Sequence, residues 1–288
     1  MSPSLQEQKS GTNTEFLFMI AAPPETLSKI KTLKIIMDKP SNRAQLNAAA
    51  YRIPALDADF LLGDSTRGLR FQLEYMKAED HLREWGVAST VIVFGSARVG
   101  EDDPQGWYKA ARDFGRICSE EGGAKLINHT PRHNVIATGG GPGIMEAANR
   151  GAHDVGAPSI GFNITLPHEQ EPNAYSTPDL TFRFHYFAMR KMHFAIRAAA
   201  LIVFPGGFGT LDELFEILTL RQTGKMNGHL PVILYDGNYW NRLINFKTMV
   251  EHNMITASDL HLFDYADTPR EAWEKLIKNG LKIPEGHT

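Results

Sequence analysis

The amino-acid sequence predicts an α/β fold, namely a Rossmann-like doubly wound parallel sheet with an N-terminal, mostly helical extension. Short apolar runs alternate with stretches of helical spacing from Val91 onward, an order typical of right-handed βαβ units. The runs are apolar at nearly every position, which indicates strands buried on both faces. Three of them end in small residues, at the position where ligand-binding α/β sheets carry their loops.

Five predicted strands follow one another along the chain. In order, they begin the segments VIVFGSAR, NVIATGGGPG, APSIGFNITLP, ALIVFPGG and LPVILYDG. The predicted helices include GWYKAARDFGRICSEEG, GIMEAANRGAHDVG, YFAMRKMHFAIRAA, TLDELFEILTLRQTG and YWNRLINFKTMVEHN. A further strand and helix are predicted in LHLFDYADTPREAWEKLIKNG. Residues 1–87 show helix-like pieces without a glycine-rich strand turn, so we place a partly disordered extension at 1–87 and the Rossmann-like domain at 88–288.

The composition excludes several classes of function. Of 288 residues, 42% are hydrophobic and 22% charged, and the formal net charge of −3 gives no basic footprint for nucleic acid or a membrane. Cys118 is the only cysteine, which excludes an intrachain disulfide or a cysteine zinc site, and we expect a buried thiol. The eleven histidines show no metal-binding pattern. The apolar run Phe16–Ala22 is too short to span a bilayer and follows Glu15 rather than a basic stretch, so a cytoplasmic protein is expected.

Glycine turns after three predicted strands are the candidate binding elements. Their residues are Gly95 and Ser96 after the first strand, Gly140, Gly141 and Gly143 after the second, and Gly206, Gly207, Gly209 and Thr210 after the fourth. Two of these turns lead straight into a helix, whose N-terminal NH groups bind anions such as phosphate. None is a P-loop, and the third glycine of a G-x-G-x-x-G is replaced by Asp212. Close strand–helix packing without a ligand is the alternative.

The expected topology brings two of these turns together. If the strand order is the common 3-2-1-4-5, the first and fourth strands flank the crevice where the order reverses. Gly95–Arg98 and Gly206–Thr210 then face each other across it. The helix before the fourth strand runs antiparallel to that strand, so Arg190, in an early turn, approaches the same crevice. Arginine suits a bidentate grip on phosphate or carboxylate, whereas a solvated helix face is the alternative.

The acidic residues beside the glycine turns also have structural explanations. Thr210 and Glu213 form a T-x-x-E pattern, which predicts a capping box that would contribute about 1 kcal/mol. Glu146 stands near the start of its predicted helix, where the helix dipole favours an acid. Catalysis therefore does not follow from these residues alone.

Two segments resemble the motifs of the LONELY GUY (LOG) family. FAMRKMHFAIRAAALIVFPGGFGTLDELFE resembles its RK…PGGxGTxxE signature, and TGGGPGIMEAANRGA resembles its second motif in a longer, type II-like form. The resemblance runs from Val91 to Gly280. Members of this family are cytokinin-activating nucleoside 5′-monophosphate phosphoribohydrolases, often labelled lysine decarboxylases. The resemblance implies a glycosidase that releases the base and ribose 5-phosphate from AMP or a cytokinin nucleotide, without a metal or organic cofactor, in a homodimer or higher homo-oligomer.

The resemblance also implies roles for individual residues. Arg190 and Glu213 match the pair regarded as catalytic. The expected substrate and phosphate contacts are Gly95, Ser96, Gly140, Gly141, Gly143, Glu146, Lys191, Gly206, Gly207, Gly209 and Thr210. His168, Glu169 and Asn173 are expected to border the base or ribose. Cleavage of the N-glycosidic bond leaves positive charge on the sugar, which explains why a carboxylate would follow a phosphate turn.

Two other functions stay open at this stage. One is a non-catalytic nucleotide or molybdenum-cofactor carrier, because related Rossmann-like proteins bind that cofactor with a similar glycine turn. The other is a regulatory module that senses nucleotides and signals through the first ninety residues. The presence of both Arg190 and Glu213 favours the enzyme.

Overall fold

The computed structural model describes residues 41–125, 131–166, 171–226 and 230–284. They belong to two compact units, one ending at Thr66 and the other beginning at Arg67. In its described part, residues 41–66, the first unit contains two short helices, α1 (Arg43–Leu46) and α2 (Ala58–Leu62), joined by 3-10 turns. Asp57 starts α2, because its side chain accepts a hydrogen bond from the backbone amide three residues on.

The second unit is built on a parallel sheet. The strands within the described residues are β1 (Thr90–Phe94), β2 (Val135–Thr138), β3 (Ser159–Ile164), β4 (Thr181–Phe184), β5 (Ala198–Val203), β6 (Val232–Tyr235) and β7 (Asp264–Ala266). They pair in the order β4-β3-β2-β1-β5-β6-β7, and every neighbouring pair is parallel. The prediction of a Rossmann-like fold is confirmed. The first predicted strand, β1, neighbours the fourth predicted strand, which is β5 in the structure.

Strand β4 was not predicted from the sequence. It is short and lies at the edge of the sheet, where Phe182 and Phe184 are buried while Arg183 between them is exposed. That alternation marks a strand packed on one face, unlike the continuous apolar runs of its neighbours. The two phenylalanines pack in the core, since both rings contact Phe162.

Helices cover the sheet and connect its strands. Those of the second unit are α3 (Arg67–Glu84), α4 (Trp107–Glu121), α5 (Ile144–Asp154), α6 (Phe187–Ile196), α7 (Phe208–Gln222), α8 (Gly237–Leu243), α9 (Phe246–Glu251) and α10 (Pro269–Lys278). Helix α3 belongs to this unit, which begins at Arg67. From the sequence, the same residues were predicted to lie in the extension, ending at residue 87. Ala78 and Leu82 of α3 are almost fully buried in the core.

The core supports one of the sequence expectations. Cys118 is buried in α4 with its Sγ 3.5 Å from the carbonyl oxygen of Asn134, and burial raises the pKa of the thiol. Within the described ranges, no helix has both the length and the apolar character needed to cross a bilayer.

Candidate active site

A cavity of about 840 Å³ opens at the carboxyl ends of the central strands. It lies where β1 and β5 are neighbours, which is the point where the strand order reverses. Turn residues Gly95–Arg98 after β1 form one wall and Gly206–Thr210 after β5 another, as predicted. The two turns are joined directly, because the Ser96 amide donates to the carbonyl oxygen of Pro205 at 3.0 Å.

The turn after β5 delivers the N-terminus of α7 to this cavity. The helix begins at Phe208 with Gly207 as its N-cap, and no side chain caps it. Gly206 cannot carry a side chain in this backbone, since an added Cβ would lie 2.1 Å from Oγ1 of Thr210. The amides of the first turn of a helix have no intrahelical acceptor, so they present donors and a positive dipole end to an anion.

The predicted capping box is wrong. It required Thr210 at the N-cap, but α7 starts two residues earlier and Thr210 lies inside its first turn. Glu213 is therefore one turn further along the helix, and its carboxylate bonds to a side chain of another helix. The capping explanation for Glu213 therefore does not hold.

Arg190 and Glu213 form a buried ion pair on the cavity wall. Arg190 Nη2 lies 2.8 Å from Oε1 of Glu213, and the two side chains are only 14% and 6% exposed. The guanidinium is flanked by the rings of Phe187 and Phe194, whose centroids lie 5.3 and 5.7 Å from Cζ. Among the described residues, the buried Nε of Arg190 has no hydrogen-bond partner, so this N–H of the guanidinium is unused.

Burial raises the pKa of the Glu213 carboxyl, although the opposing charges of Arg190 and Lys191 work to lower it. The same burial makes an ionised carboxylate a strong source of negative potential, because little water screens it. An ionised Glu213 therefore suits the stabilisation of a nearby cation, and its proton affinity suits the orientation or deprotonation of water.

Lys191 lies in an acidic cluster beside the pair and does not line the cavity. Its Nζ is 2.8 Å from Oδ2 of Asp212, 3.0 Å from Oε2 of Glu216 and 3.8 Å from Oε2 of Glu213. Burial lowers the pKa of Lys191, but the bonds to Asp212 and Glu216 outweigh it and the net shift is upward. The ammonium group holds α6 against α7, and its contact with phosphate stays a prediction.

The glycine turn after β2 supports the cavity mainly from outside. Gly139 reaches its lining, whereas Gly140, Gly141 and Gly143 do not. Gly143 packs against the β1 turn so tightly that an added Cβ would be 2.4 Å from the carbonyl oxygen of Ser96. Its φ of 72° is a further reason for glycine at this position.

Asn173 holds this turn from below rather than facing a ligand. Its backbone N–H donates to the carbonyl oxygen of Gly140 at 2.8 Å, and its side-chain Nδ2 donates to the carbonyl oxygen of Gly141 at 3.0 Å. Glu146 also points elsewhere, since its Oε1 accepts a 2.8 Å hydrogen bond from the Tyr108 hydroxyl. His168 and Glu169 fall outside the described residues.

Two aromatic residues on the opposite side of the cavity were missed. Tyr239 donates from its hydroxyl to the carbonyl oxygen of Gly206 at 2.8 Å, and Trp107 donates from Nε1 to Oδ2 of Asp236 at 2.9 Å. Both rings line the cavity and meet edge to face. Tyr239 follows the carboxyl end of β6, so the strand-end rule already pointed to it. Trp107 is the first residue of α4, and nothing in the sequence distinguishes it as a cavity residue.

The histidines and acids do not converge on a metal site in the part of the chain that the structure describes. No group of three or more His, Cys, Asp or Glu side chains there is placed to hold an ion. His193, three residues after Arg190, is buried among aromatic rings, and burial lowers the pKa of its imidazole.

Comparison with known proteins identifies the family. A sequence model described as "possible lysine decarboxylase" matches residues 145–276. A probable cytokinin riboside 5′-monophosphate phosphoribohydrolase of Oryza sativa subsp. japonica is 30% identical over 195 residues, covering 67% of this chain and 78% of the rice protein. This chain belongs to the LOG family. A cytokinin riboside 5′-monophosphate phosphoribohydrolase of Arabidopsis thaliana is 28% identical, over 57% of this chain and 82% of the relative.

Among solved structures, this LOG-family chain matches a molybdenum cofactor binding protein of the phototrophic bacterium Rippkaea orientalis. The match has 22% identity and a TM-score of 0.44, and it covers 66% of this chain and 95% of the other.

Proposed function

We propose that the protein hydrolyses the N-glycosidic bond of a purine nucleoside 5′-monophosphate, either AMP or a cytokinin nucleotide. The products are the free base and ribose 5-phosphate. One observation carries the proposal: the buried Arg190–Glu213 pair shares a cavity with the uncapped N-terminus of α7. An anion site and a buried carboxylate in one cavity suit the two ends of a ribose 5-phosphate.

The phosphate is assigned to the glycine turn after β5. The amides of Gly207, Phe208 and Gly209 begin α7 and have no acceptor within the helix. Ser96 and Arg98 line the facing wall and add polar donors. Two relatives are named for action on a riboside 5′-monophosphate, which supports this assignment.

Glu213 is assigned to the anomeric end of the sugar. As the bond to the base breaks, positive charge develops on the anomeric carbon and the ring oxygen. The ionised carboxylate stabilises that charge, and it orients or deprotonates the water that attacks the sugar carbon. The electron pair of the broken bond leaves with the base, which takes up a proton.

Arg190 is assigned to orientation. Its Nη2 donates to Oε1 of Glu213 at 2.8 Å, which fixes the orientation of the carboxylate on the cavity wall. Arg190 also lines the cavity, where its guanidinium can donate to a ribose hydroxyl or a phosphate oxygen.

A panel of 5′-monophosphates, followed by chromatography for the free base, tests the proposal. AMP and N6-modified adenosine monophosphates should release base, and the nucleosides without phosphate should react far more slowly because they lack the anionic handle. Tight binding of the same nucleotides with no base release would overturn the proposal and leave a carrier. No binding of any monophosphate would remove both.

A further inference from the structure

We propose that helix α3 acts as a brace for helix α6, and that Glu74 and Glu79 are positioning residues for Arg190. The proposal rests on the proposed function, since it assigns Arg190 to the reaction. It gives the helix that precedes the sheet a role in catalysis without any contact with substrate.

The N-terminus of α6 is held by α3. The N-cap of α6, Tyr186, makes no side-chain capping bond. The carboxylate of Glu74 supplies it instead, because Oε1 accepts from the His185 amide at 2.9 Å and Oε2 from the Tyr186 amide at 3.2 Å. A negative charge at this end is also favoured by the helix dipole. Arg190 lies one turn further on, and its amide bonds back to the Tyr186 carbonyl.

Tyr186 itself is fixed by the same face of α3. Its hydroxyl accepts a 3.1 Å hydrogen bond from Nε of Arg70, and its ring packs edge to face on Phe71 with centroids 4.2 Å apart. The backbone at the start of α6 therefore has little freedom to rotate.

The C-terminus of α6 is held by an ion pair. Arg197 is the C-cap of α6, and its Nη1 and Nη2 donate to the two carboxylate oxygens of Glu79 at 2.7 and 2.8 Å. The Arg197 guanidinium keeps the pKa of Glu79 down at about 2. Between the two ends, Tyr75 stacks on His193 with ring centroids 5.4 Å apart.

Helix α6 contacts both neighbouring helices. Tyr186, His193 and Arg197 contact α3, while Arg190 and Lys191 contact α7. A shift of α6 against α3 would therefore move Arg190 relative to Glu213. Misplacement of a catalytic group by about 1 Å is enough to reduce turnover by orders of magnitude.

The test compares Glu74→Ala with Asp80→Ala in the full chain. Both variants remove one carboxylate from α3, but Asp80 is exposed to solvent. In Glu74→Ala, kcat for base release should fall at least ~10-fold with little change in KM. Glu74→Gln keeps one acceptor oxygen and should recover part of the loss. It also carries the test if the alanine variant does not fold.

The pH profile separates positioning from general stability. Glu213 faces Arg190 and Lys191 of α6, with Glu216 beside it on α7. If α6 shifts, the ion pair with Arg190 loosens, the carboxyl of Glu213 holds its proton more tightly, and the acid limb of kcat moves to higher pH. Asp80→Ala should leave the limb where it is. An unmoved limb and unchanged kcat in Glu74→Ala overturn the proposal.

Amide hydrogen exchange keeps this proposal distinct from the proposed function. Without substrate, peptides covering Phe187–Ile196 should exchange faster in Glu74→Ala than in wild type or Asp80→Ala. Exchange at the wild-type rate overturns the brace, whether or not any nucleotide is turned over. Faster exchange in a protein that releases no base overturns the proposed function and leaves the contact between α3 and α6 standing.

Discussion

Replacing Glu213 with glutamine should lower activity and raise stability at the same time. The side-chain amide introduced by Glu213→Gln has nearly the same shape as the carboxylate, so it keeps one oxygen for the bond to Arg190. It loses the charge that the proposed mechanism requires in a side chain only 6% exposed. Removal of one preorganised electrostatic group of this kind costs about 3–4 kcal/mol of transition-state stabilisation. Turnover should therefore fall by a factor of about 100 to 1,000.

The stability change follows from the sign of the pKa shift. Burial raises the pKa of Glu213, even against Arg190 and Lys191, so the folded state binds protons more tightly than the unfolded state. Between the ordinary pKa and the raised one, stability falls as pH increases, and at neutral pH the ionised carboxylate opposes folding. The neutral amide removes that cost. Urea denaturation at pH 7 should place its midpoint at or above the wild-type value.

The two measurements are made on the same preparations. Base release from AMP is followed by chromatography. Glu274→Gln removes one exposed carboxylate from α10 and changes the net charge by the same amount as Glu213→Gln, so it serves as the control. The control should keep wild-type turnover. Turnover within a few-fold of wild type in Glu213→Gln would refute the catalytic assignment. A large loss of both turnover and stability would show that Glu213 is structural.

Three further predictions concern pH and packing. Base release should decline on the acid side as pH falls through the raised pKa of Glu213, and that limb of the pH–rate profile should disappear in Glu213→Gln. Gly206→Ala should destabilise the fold by about 2 kcal/mol and raise KM for AMP, since the new Cβ would lie 2.1 Å from Oγ1 of Thr210. Thermal melting measures the first effect and steady-state kinetics the second. A wild-type value of either would contradict the phosphate turn as described. Glu79→Gln should cost about 3 kcal/mol at pH 7, because it leaves the buried Arg197 unpaired. In the wild type, the stability supplied by Glu79 is present above its ordinary pKa and is lost as pH falls toward about 2, so acid titrations of the two proteins should converge.

The sequence contained enough information for the sheet and for the place of the site. Parallel strands buried on both faces are apolar throughout, and ligands bind where the strand order reverses, so the meeting of Gly95–Arg98 with Gly206–Thr210 could be predicted. Strand β4 could not, because its four residues alternate at a sheet edge and resemble a loop with aromatic side chains.

The errors at the site have local causes. T-x-x-E is a good capping pattern, but the glycines before Thr210 let α7 start two residues earlier, and the pattern then falls inside the helix. Glu146 and Asn173 stand close to the cavity in sequence, yet their side chains are used by Tyr108 and by the glycine turn. Which partner such a side chain binds depends on how the neighbouring elements pack.

The contacts of α3 were the hardest part of the structure to predict from the sequence. Glu79 and Arg197 are 118 residues apart, and each alone resembles a solvated charge on a helix. The same holds for Glu74, whose bonds to the start of α6 depend on how two helices cross. Long-range charge pairing of this kind leaves no periodic signal in the chain.

The contact between Gly143 and Ser96 has a consequence for redesign of the pocket. The two loops meet backbone to backbone, so a side chain added at this seam would displace the wall of the cleft rather than reshape its surface. Attempts to change the shape of the cavity should leave these two backbone segments unaltered. Met145 and Leu243 line the same cavity from helices, and Leu243 is 46% exposed, so their side-chain volume can be altered while the loops keep their course.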